Sequence, residues 1–356
     1  MRFAMQGEIS VRGAGPVGCV LALALHQSGR PVVLIGKTFA SEGQPLRPVA
    51  LSHASRLILE RVGAWRSLAS TPIETIHVSQ QGGFGRVSLA AADAGVPALG
   101  YVLDYGVLLG SLLNRVKDCA IRIEAETGEP LLVVHAEGSS TDSEEKNYQQ
   151  EALVALVATQ PTAAGIAWER FTPEGPLALL PLGGRYCALW GMRPGRAQQL
   201  CRAPGAEFLA ALSQAFGRRA GEFVAVAQRS RVPLALRVRP SRVGERAAYI
   251  GNAAQTLHPV AGQGLNLGLR DAWDLAQVLR DAKDPGEARV LQRFAGMRRI
   301  DATAAVRVTD FLAGAFLATN PLAALTRGFG LTALDICLPA RRFFARRMIY
   351  GVSALP

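Results

Sequence analysis

One segment of the chain, residues 249–271, combines residue types that can bind an anionic or electron-rich ligand. It reads YIGNAAQTLHPVAGQGLNLGLRD: an apolar strand ends at Gly251, a turn rich in Gly and Pro follows, and a helix opens near residues 265–269. Such a turn offers backbone N–H groups, a helix N-terminus and the amide side chains of Asn252 and Asn266 to a neighbouring ligand. These features suit a phosphate or a reduced flavin ring.

A second glycine-rich turn, GAGPVG at residues 13–18, joins a short strand at 9–11 to an apolar helix that runs to about residue 28. A buried strand at 31–35 completes a βαβ unit, the arrangement that binds a dinucleotide. Gly13 permits the tight turn, Gly15 lets the backbone approach a pyrophosphate, and Gly18 lets the helix pack on the strand.

The end of this second strand lacks an expected acidic residue. Dinucleotide-binding folds usually place Asp or Glu there, to hold the ribose hydroxyls. This chain has Gly36 followed by Lys37. Three interpretations stay open: a water or another side chain replaces the contact, nucleotide affinity is reduced, or Lys37 favours a ribose phosphate.

Several segments resemble the FAD-dependent aromatic-ring hydroxylases of ubiquinone biosynthesis, which are single-component monooxygenases of the p-hydroxybenzoate hydroxylase type. The resemblance is carried by residues 249–271, by RPVALS at 47–52 and by AWERFTPEGPLALLPL at 167–182. Two departures stand beside it. The family motif GADG is HAEG at 135–138, and only residues 120–130 stand where the family usually has several further strands.

The resemblance implies an α/β fold in which a Rossmann-like FAD-binding domain is interleaved with a smaller antiparallel substrate sheet, and a C-terminal helical segment follows. We predict the FAD-binding domain at 1–70, 102–150 and 241–300, the substrate domain at 71–101 and 151–240, and the helical region at 301–356. Within this scheme, the polar stretch 138–150 predicts a loop.

The resemblance also implies the cofactor contacts and the reaction. FAD reduced by NAD(P)H reacts with O₂ to a C4a-hydroperoxide, which hydroxylates an electron-rich polyprenyl-phenol ring, so the cofactor and not a side chain performs the chemistry. We therefore name no catalytic side chain and no metal ligand; His258 and Pro259 are expected near the ring. The expected cofactor contacts are Gly13, Gly15, Gly18, Arg47, Glu137, Gly251, Asn252, Pro259, Gly262, Gly264, Leu265 and Asn266.

Composition limits the partners and the compartment. The 356 residues carry a net charge of +11, and the only lysines are Lys37, Lys117, Lys146 and Lys283. The arginines are scattered without a nucleic-acid motif, so they indicate either a solvated surface or attraction to an anionic membrane. Five cysteines without a CxxC pair favour a reducing compartment. No signal peptide or spanning segment is evident, so we expect a cytoplasmic protein, peripheral at the inner membrane surface or part of a ubiquinone-biosynthesis complex.

The C-terminal stretch RRFFARRMI, residues 341–349, allows two interpretations. As a helix it could lie on an anionic bilayer. It could also pack its Phe344 and Met348 edge on the protein.

Two alternatives to the hydroxylase also stay open: a non-catalytic family member that binds lipid or assembles a complex, and a flavin reductase or dehydrogenase that does no oxygenation.

Overall fold

The computed structural model describes residues 7–36, 47–66, 68–126, 128–138, 143–162, 164–257, 263–317 and 321–351. Its strands are β1 Ile9–Arg12, β2 Val32–Ile35, β3 Pro48–Ser52, β4 Thr71–Ile73, β5 Thr75–Gln80, β6 Arg86–Ala90, β7 Gly100–Asp104, β8 Arg122–Glu124, β9 Leu132–His135, β10 Glu144–Gln160, β11 Ile166–Phe171, β12 Pro176–Leu182, β13 Arg185–Met192, β14 Glu222–Val238, β15 Val243–Gly244, β16 Ala247–Tyr249 and β17 Gln255–Thr256. Its helices are α1 Pro16–Gln27, α2 His53–Arg61, α3 Ala91–Ala94, α4 Tyr105–Asp118, α5 Pro194–Arg202, α6 Gly205–Phe216, α7 Gly264–Arg280, α8 Ala288–Leu317, α9 Pro321–Ile336 and α10 Leu338–Tyr350.

A six-stranded sheet in the order β15-β16-β9-β1-β2-β8 carries the glycine-rich turns. Its pairs are parallel except β15–β16, and Val11 stands beside Leu34 on one side and Val134 on the other. These strands read as continuous apolar runs because both sheet faces are buried. Helix α1 is almost entirely apolar for the same reason, since it packs between the sheet, α4 and α7. The sheet thus holds the N-termini of α1 and α7 at its carboxyl edge.

An eight-stranded sheet in the order β17-β14-β10-β13-β12-β11-β5-β6 forms the second layer, and only its β11–β5 pair is parallel. Helices α5 and α6 pack on one face, with Phe208, Leu212 and Trp190 in the shared core. The other face is left for a ligand cavity. A three-stranded sheet, β3-β7-β4, lies beside both larger sheets. The predicted α/β fold with an interleaved second sheet is confirmed.

The prediction of a loop over 138–150 is wrong from Glu144 onward, where β10 begins. The sequence misleads because this end of the strand is polar and mostly exposed, so no alternating apolar pattern marks it. Its partner decides the structure: Glu144–Asn147 pair with residues 235–238 of β14, and Arg237 Nε lies 3.1 Å from Glu145 Oε2. Cross-strand pairing of this kind outweighs local propensity.

The C-terminal helix α10 packs on the protein, as the second interpretation of residues 341–349 predicted. Ala345 and Ile349 are buried in a cluster with α9 and β6, and Phe344 packs against it. Phe343, on the opposite side, is 72% exposed. Within the described ranges, no helix is both long and apolar enough to cross a bilayer.

Candidate functional site

A cavity of about 2280 Å³ lies between the carboxyl edge of the six-stranded sheet, the open face of the eight-stranded sheet, and helices α9 and α10. Pockets for a drug-sized ligand usually measure about 300–1,000 Å³. The cavity therefore has room for a dinucleotide and a second large molecule together. Its wall toward the eight-stranded sheet is mostly apolar, whereas glycines and helix N-termini form the wall toward the six-stranded sheet.

The turn from β1 to α1 is closed on its protein side and open on its cavity side. Gly13 has φ +111°, and a Cβ there would lie 2.6 Å from the Ala136 carbonyl oxygen. A Cβ on Gly18 would overlap the Gly13 carbonyl. At Gly15 the nearest atom to such a Cβ is the Tyr105 hydroxyl, 3.6 Å away. Backbone N–H groups can thus meet a ligand phosphate without an intervening side chain.

Two of the helices that begin at the cavity have no side-chain cap among the described residues. Helix α1 starts after Gly15 and α7 after Gln263, and neither has an acidic residue in its first turn. By contrast, Ser52 and Asp104 cap helices α2 and α4. A bare helix N-terminus concentrates partial positive charge and N–H donors. Each of the two turns predicted from the sequence therefore presents backbone N–H donors at the edge of the cavity.

The second turn packs closely on the first helix. Gly251 has φ +59°, and a Cβ on Gly268 would lie 2.8 Å from Val17 Cγ2 and 3.1 Å from the Gly251 Cα. Glycine at 268 therefore lets α7 approach both α1 and the turn. Sequence reasoning missed this residue, although its place four residues after Gly264 on the same helix face could have signalled it.

Asp271, on α7, stabilises the turn at Gly251 through hydrogen bonds. Its Oδ2 accepts hydrogen bonds from the Gly251 N–H at 3.1 Å and from Gln255 Nε2 at 3.0 Å. Burial by itself would raise the pKa of Asp271, but Arg242, Arg298 and the Gln255 hydrogen bond hold it below its usual range. The carboxylate is therefore charged at neutral pH, and its hydrogen bonds fix the turn relative to the helix.

The side chain of Asn266 makes hydrogen bonds within the protein that the sequence did not predict. Its Oδ1 accepts from the Ser52 N–H at 2.8 Å and from Ser55 Oγ at 2.7 Å, and its Nδ2 donates to the Ala50 carbonyl at 2.9 Å. The side chain thus ties α7 to β3 and α2 while the residue lines the cavity. Its position orients the helix N-terminus.

Most other predicted contact residues also line the cavity, namely Arg47, Glu137, Asn252, Gly264 and Leu265. The Arg47 guanidinium lies 4.5 Å from the Tyr105 ring centroid, and the Glu137 carboxylate lies 3.3 Å from His135 Nδ1. The predicted residues His258, Pro259 and Gly262 lie outside the described residues.

Any side chain in place of the glycine at the end of β2 would be crowded and would strain the backbone. Gly36 has φ +154°, and a Cβ would lie 3.1 Å from the Ala14 nitrogen. Glu126, which follows β8 on the neighbouring strand, lines the same end of the cavity. The sequence did not indicate a role for Glu126, because it does not show that β8 lies next to β2 in the sheet. Among the described residues, no group of three His, Cys, Asp or Glu side chains could hold a metal ion.

Comparisons with known proteins agree with this geometry. Residues 127–309 match the FAD binding domain family. The chain is 31% identical over 380 residues to Ubiquinone hydroxylase UbiL of Rhodospirillum rubrum, covering 95% of this chain and 88% of that protein. It is 30% identical over 379 residues to 3-demethoxyubiquinol 3-hydroxylase of Escherichia coli, covering 92% and 94%.

Among solved structures, p-nitrophenol 4-monooxygenase PnpA from Pseudomonas putida DLL-E4 has the same fold. The TM-score is 0.78 at 16% identity, with 98% of this chain and 99% of that chain covered. At such low identity the similarity bears on architecture alone. It supports the arrangement of a parallel sheet, a second sheet and C-terminal helices around one cavity.

Proposed function

Since this chain belongs to the FAD binding domain family, as an FAD-dependent monooxygenase, we propose that it hydroxylates the aromatic ring of a polyprenylated phenol in ubiquinone biosynthesis. The observation that carries the proposal is the single cavity that joins two uncapped helix N-termini to an apolar sheet face. An anionic dinucleotide suits the first part, and an apolar ring with a lipid tail suits the second.

The residues at the two turns fit FAD. A pyrophosphate suits the open side of Gly15 and the N-terminus of α1, and the flavin ring suits the start of α7. Bound FAD would supply electron transfer from NADH or NADPH and the activation of O₂. We propose these cofactor contacts: Gly13, Gly15, Gly18, Arg47, Glu137, Gly251, Asn252, Pro259, Gly262, Gly264, Leu265 and Asn266.

The chain itself contributes electrostatics and exclusion of water. The N-terminus of α7 would stabilise negative charge on a bound flavin ring by about 0.3–1 kcal/mol, and by up to ~2 kcal/mol where the charge is partly buried. The apolar sheet face keeps water from the reacting centre, which limits unproductive loss of activated oxygen. Glu126, which lines the cavity after β8, would take the place of the acidic residue missing at Gly36 and bind the ribose hydroxyls.

We propose that the predicted domain division describes this arrangement, with one adjustment. Residues 1–70, 102–150 and 241–300 hold the cofactor, and residues 71–101 and 151–240 cover the substrate. Because β10 begins at Glu144 and pairs with β14, residues 144–150 belong with the second group.

We further propose a peripheral contact of α9 and α10 with an anionic membrane. Their outer sides expose Phe329 (67%), Ile336 (79%) and Phe343 (72%), beside the exposed Arg342 and Arg346. Large apolar groups interspersed with arginines suit the interface of an anionic bilayer. The inner sides of the same helices line the cavity, so a lipid-tailed substrate would have a short path from the bilayer.

Vesicle co-sedimentation tests the membrane contact. The double variant Phe329→Ser, Phe343→Ser should lose binding to anionic vesicles, whereas Val107→Ser, which changes a 45% exposed residue on α4, should bind as the wild type does. Equal binding by both variants would disprove the contact.

The hydroxylase activity is tested on the purified full chain. We expect flavin absorbance that survives gel filtration after FAD is added, and NAD(P)H oxidation that an ortho-prenylated phenol stimulates, with a hydroxylated product in mass spectra. Absence of bound flavin would support the non-catalytic alternative and overturn the proposal. Flavin reduction coupled to an acceptor other than O₂, without hydroxylated product, would support the reductase alternative.

A further inference from the structure

Strand β11 of the eight-stranded sheet carries one carboxyl group that lines the cavity, that of Glu169. On β11 the side chains of Ala167, Glu169 and Phe171 line the cavity. The alternate residues face the other way: Trp168 packs in the core beneath α6, and Arg170 Nε donates to the Ala215 carbonyl at 3.1 Å. This alternation, inherent in a strand, places Glu169 on the ligand side.

The surroundings of Glu169 are apolar. Its cross-strand neighbours are Val78 on β5 and Ala178 on β12, and the next residues outward in the same row are Val87 and Leu189. On β5, β6, β11, β12 and β13, no other polar side chain lines the cavity. The charged residues of the cavity wall lie on other elements: Arg12, Arg47, Glu126, Glu137, Glu145, Arg231, Arg237 and Arg327.

Glu169 has an unsatisfied oxygen. Its Oε2 is inaccessible to solvent and has no hydrogen-bond partner among the described residues. Burial raises the pKa of Glu169 to about 8. At neutral pH the group is mainly a neutral carboxylic acid, with one O–H donor and a carbonyl acceptor.

An unsatisfied buried carboxyl group destabilises the folded protein, so a leucine or valine there would give a more stable sheet. Such a cost is typical of a group that is held for a ligand. The ligand must bring a hydrogen-bonding group into an otherwise apolar region. A phenol does so, because its ring is apolar and its hydroxyl is a donor.

We propose that Glu169 determines substrate specificity by accepting a hydrogen bond from the ring hydroxyl of the phenol. This inference rests on the proposed function, because it presumes a phenol in the cavity. The carboxyl group fixes which ring edge faces the start of α7, while the neighbouring apolar residues Val78, Ala178 and Leu189 contact the ring and tail. A site built in this way rejects an analogue that lacks the hydroxyl, because the buried polar group then stays unpaired.

Equilibrium binding of two matched probes tests the proposal. Ortho-prenylphenol and its methyl ether differ only in the donor hydrogen. On FAD-loaded protein at pH 7, calorimetry should show that the phenol binds about tenfold more tightly than the ether, as expected for one buried hydrogen bond. The variant Glu169→Leu should bind both equally. Glu169→Gln, whose amide oxygen still accepts, should keep most of the preference.

The pH dependence gives a second measurement. As the pH rises past about 8, the wild-type carboxyl group ionises and becomes a stronger acceptor. The preference for the phenol over the ether should increase between pH 7 and pH 9, whereas Glu169→Gln should show no such change. Glu207→Gln, which makes the same substitution at an exposed site on α6, is the matched control and should behave as the wild type.

The outcomes separate this inference from the proposed function. If Glu169→Leu retains FAD and keeps the full preference for the phenol, the inference is overturned while the hydroxylase proposal stands. If the wild type binds neither FAD nor either probe, the proposed function fails and the inference fails with it. Thermal denaturation of each variant confirms that folding is intact.

Discussion

The carboxyl groups of Asp271 and Glu169 are both withdrawn from water, yet their surroundings shift their pKa values in opposite directions. Asp271 lies on α7 among charged partners, with Arg298 Nε at 2.7 Å and Arg242 Nη1 at 3.2 Å. Glu169 lies among apolar side chains and has an unpaired oxygen. The pKa of Asp271 is lowered by its arginines, and the pKa of Glu169 is raised by burial to about 8.

The cluster around Asp271 is balanced. Its members are three carboxylates and three guanidinium groups: Asp271, Asp274, Asp301, Arg242, Arg270 and Arg298. Arg298 is completely buried and pairs with all three carboxylates at 2.7–2.8 Å. Burial would lower the pKa of Arg298, but these carboxylates raise it, so the guanidinium stays charged.

Buried charged groups with partners and a buried carboxyl group without one have different roles in this protein. Compensated charges have many directional bonds, so they fix the backbone of α7, α8 and the Gly251 turn in one arrangement. An uncompensated carboxyl group has unused bonding capacity, which a ligand can satisfy. The first region should therefore respond to mutation by unfolding, and the second by a change in binding.

The largest effect is expected from removal of the central arginine. Arg298→Met leaves Asp271 and Asp301 buried with fewer counter-charges, and should lower the free energy of unfolding by about 3–5 kcal/mol in urea titrations. Arg280→Met is the control, because the Arg280–Asp281 pair is exposed and its atoms are 3.8 Å apart. A loss no greater than that of the control would contradict the structural role of the cluster.

A smaller loss is expected for Asp271→Asn. Arg298 keeps Asp274 and Asp301, so we expect about 2–3 kcal/mol at neutral pH. Because the folded-state pKa of Asp271 is lowered, its contribution is present above the unfolded-state pKa and disappears as the pH falls through the folded-state value. The difference in unfolding free energy between wild type and variant should therefore shrink in acid, and a pH-independent difference would argue against this charge.

Glu169→Leu should act in the opposite direction and stabilise the protein by about 1 kcal/mol at neutral pH. The pKa of Glu169 is raised from 4.5 to about 8, so wild-type stability from this group is lost as the pH rises through that interval. The gain from the variant should therefore grow between pH 5 and pH 8 in thermal melts. A destabilised variant at pH 8 would show that Glu169 has a partner in the folded protein.

The smallest effect is expected for Arg196→Met. Arg196 Nε lies 3.1 Å from Glu174 Oε1, a distance like those in the buried cluster, but both side chains are about one-third exposed. Solvent screening should keep the change below about 1 kcal/mol, and added salt should reduce it further. If this variant were as unstable as Arg298→Met, pairing distance and not burial would control stability.

Local sequence patterns predicted the glycine-rich turns at one end of the cavity. The glycines at 13, 15 and 18 lie within one turn and its helix, and the described residues of the segment 249–271 are likewise neighbours along the chain, so local spacing indicates their geometry. The substrate side was predicted only as an element, the strand pair in 167–182. Glu169 was not singled out, because its isolation depends on Val78, which lies 91 residues earlier in the chain and pairs with it in the sheet.

Sequence by itself determined the two glycine-rich turns, the apolar helix α1 and the presence of a second sheet, since each depends on residues that are neighbours along the chain. Tertiary structure alone decided that β10 extends back to Glu144, that Glu126 follows the strand that pairs with β2, and that Asp271 and Glu169 have such different surroundings. Charge compensation and desolvation arise from residues that meet across sheets and helices. Those encounters are set by strand order and helix packing, which no local pattern records.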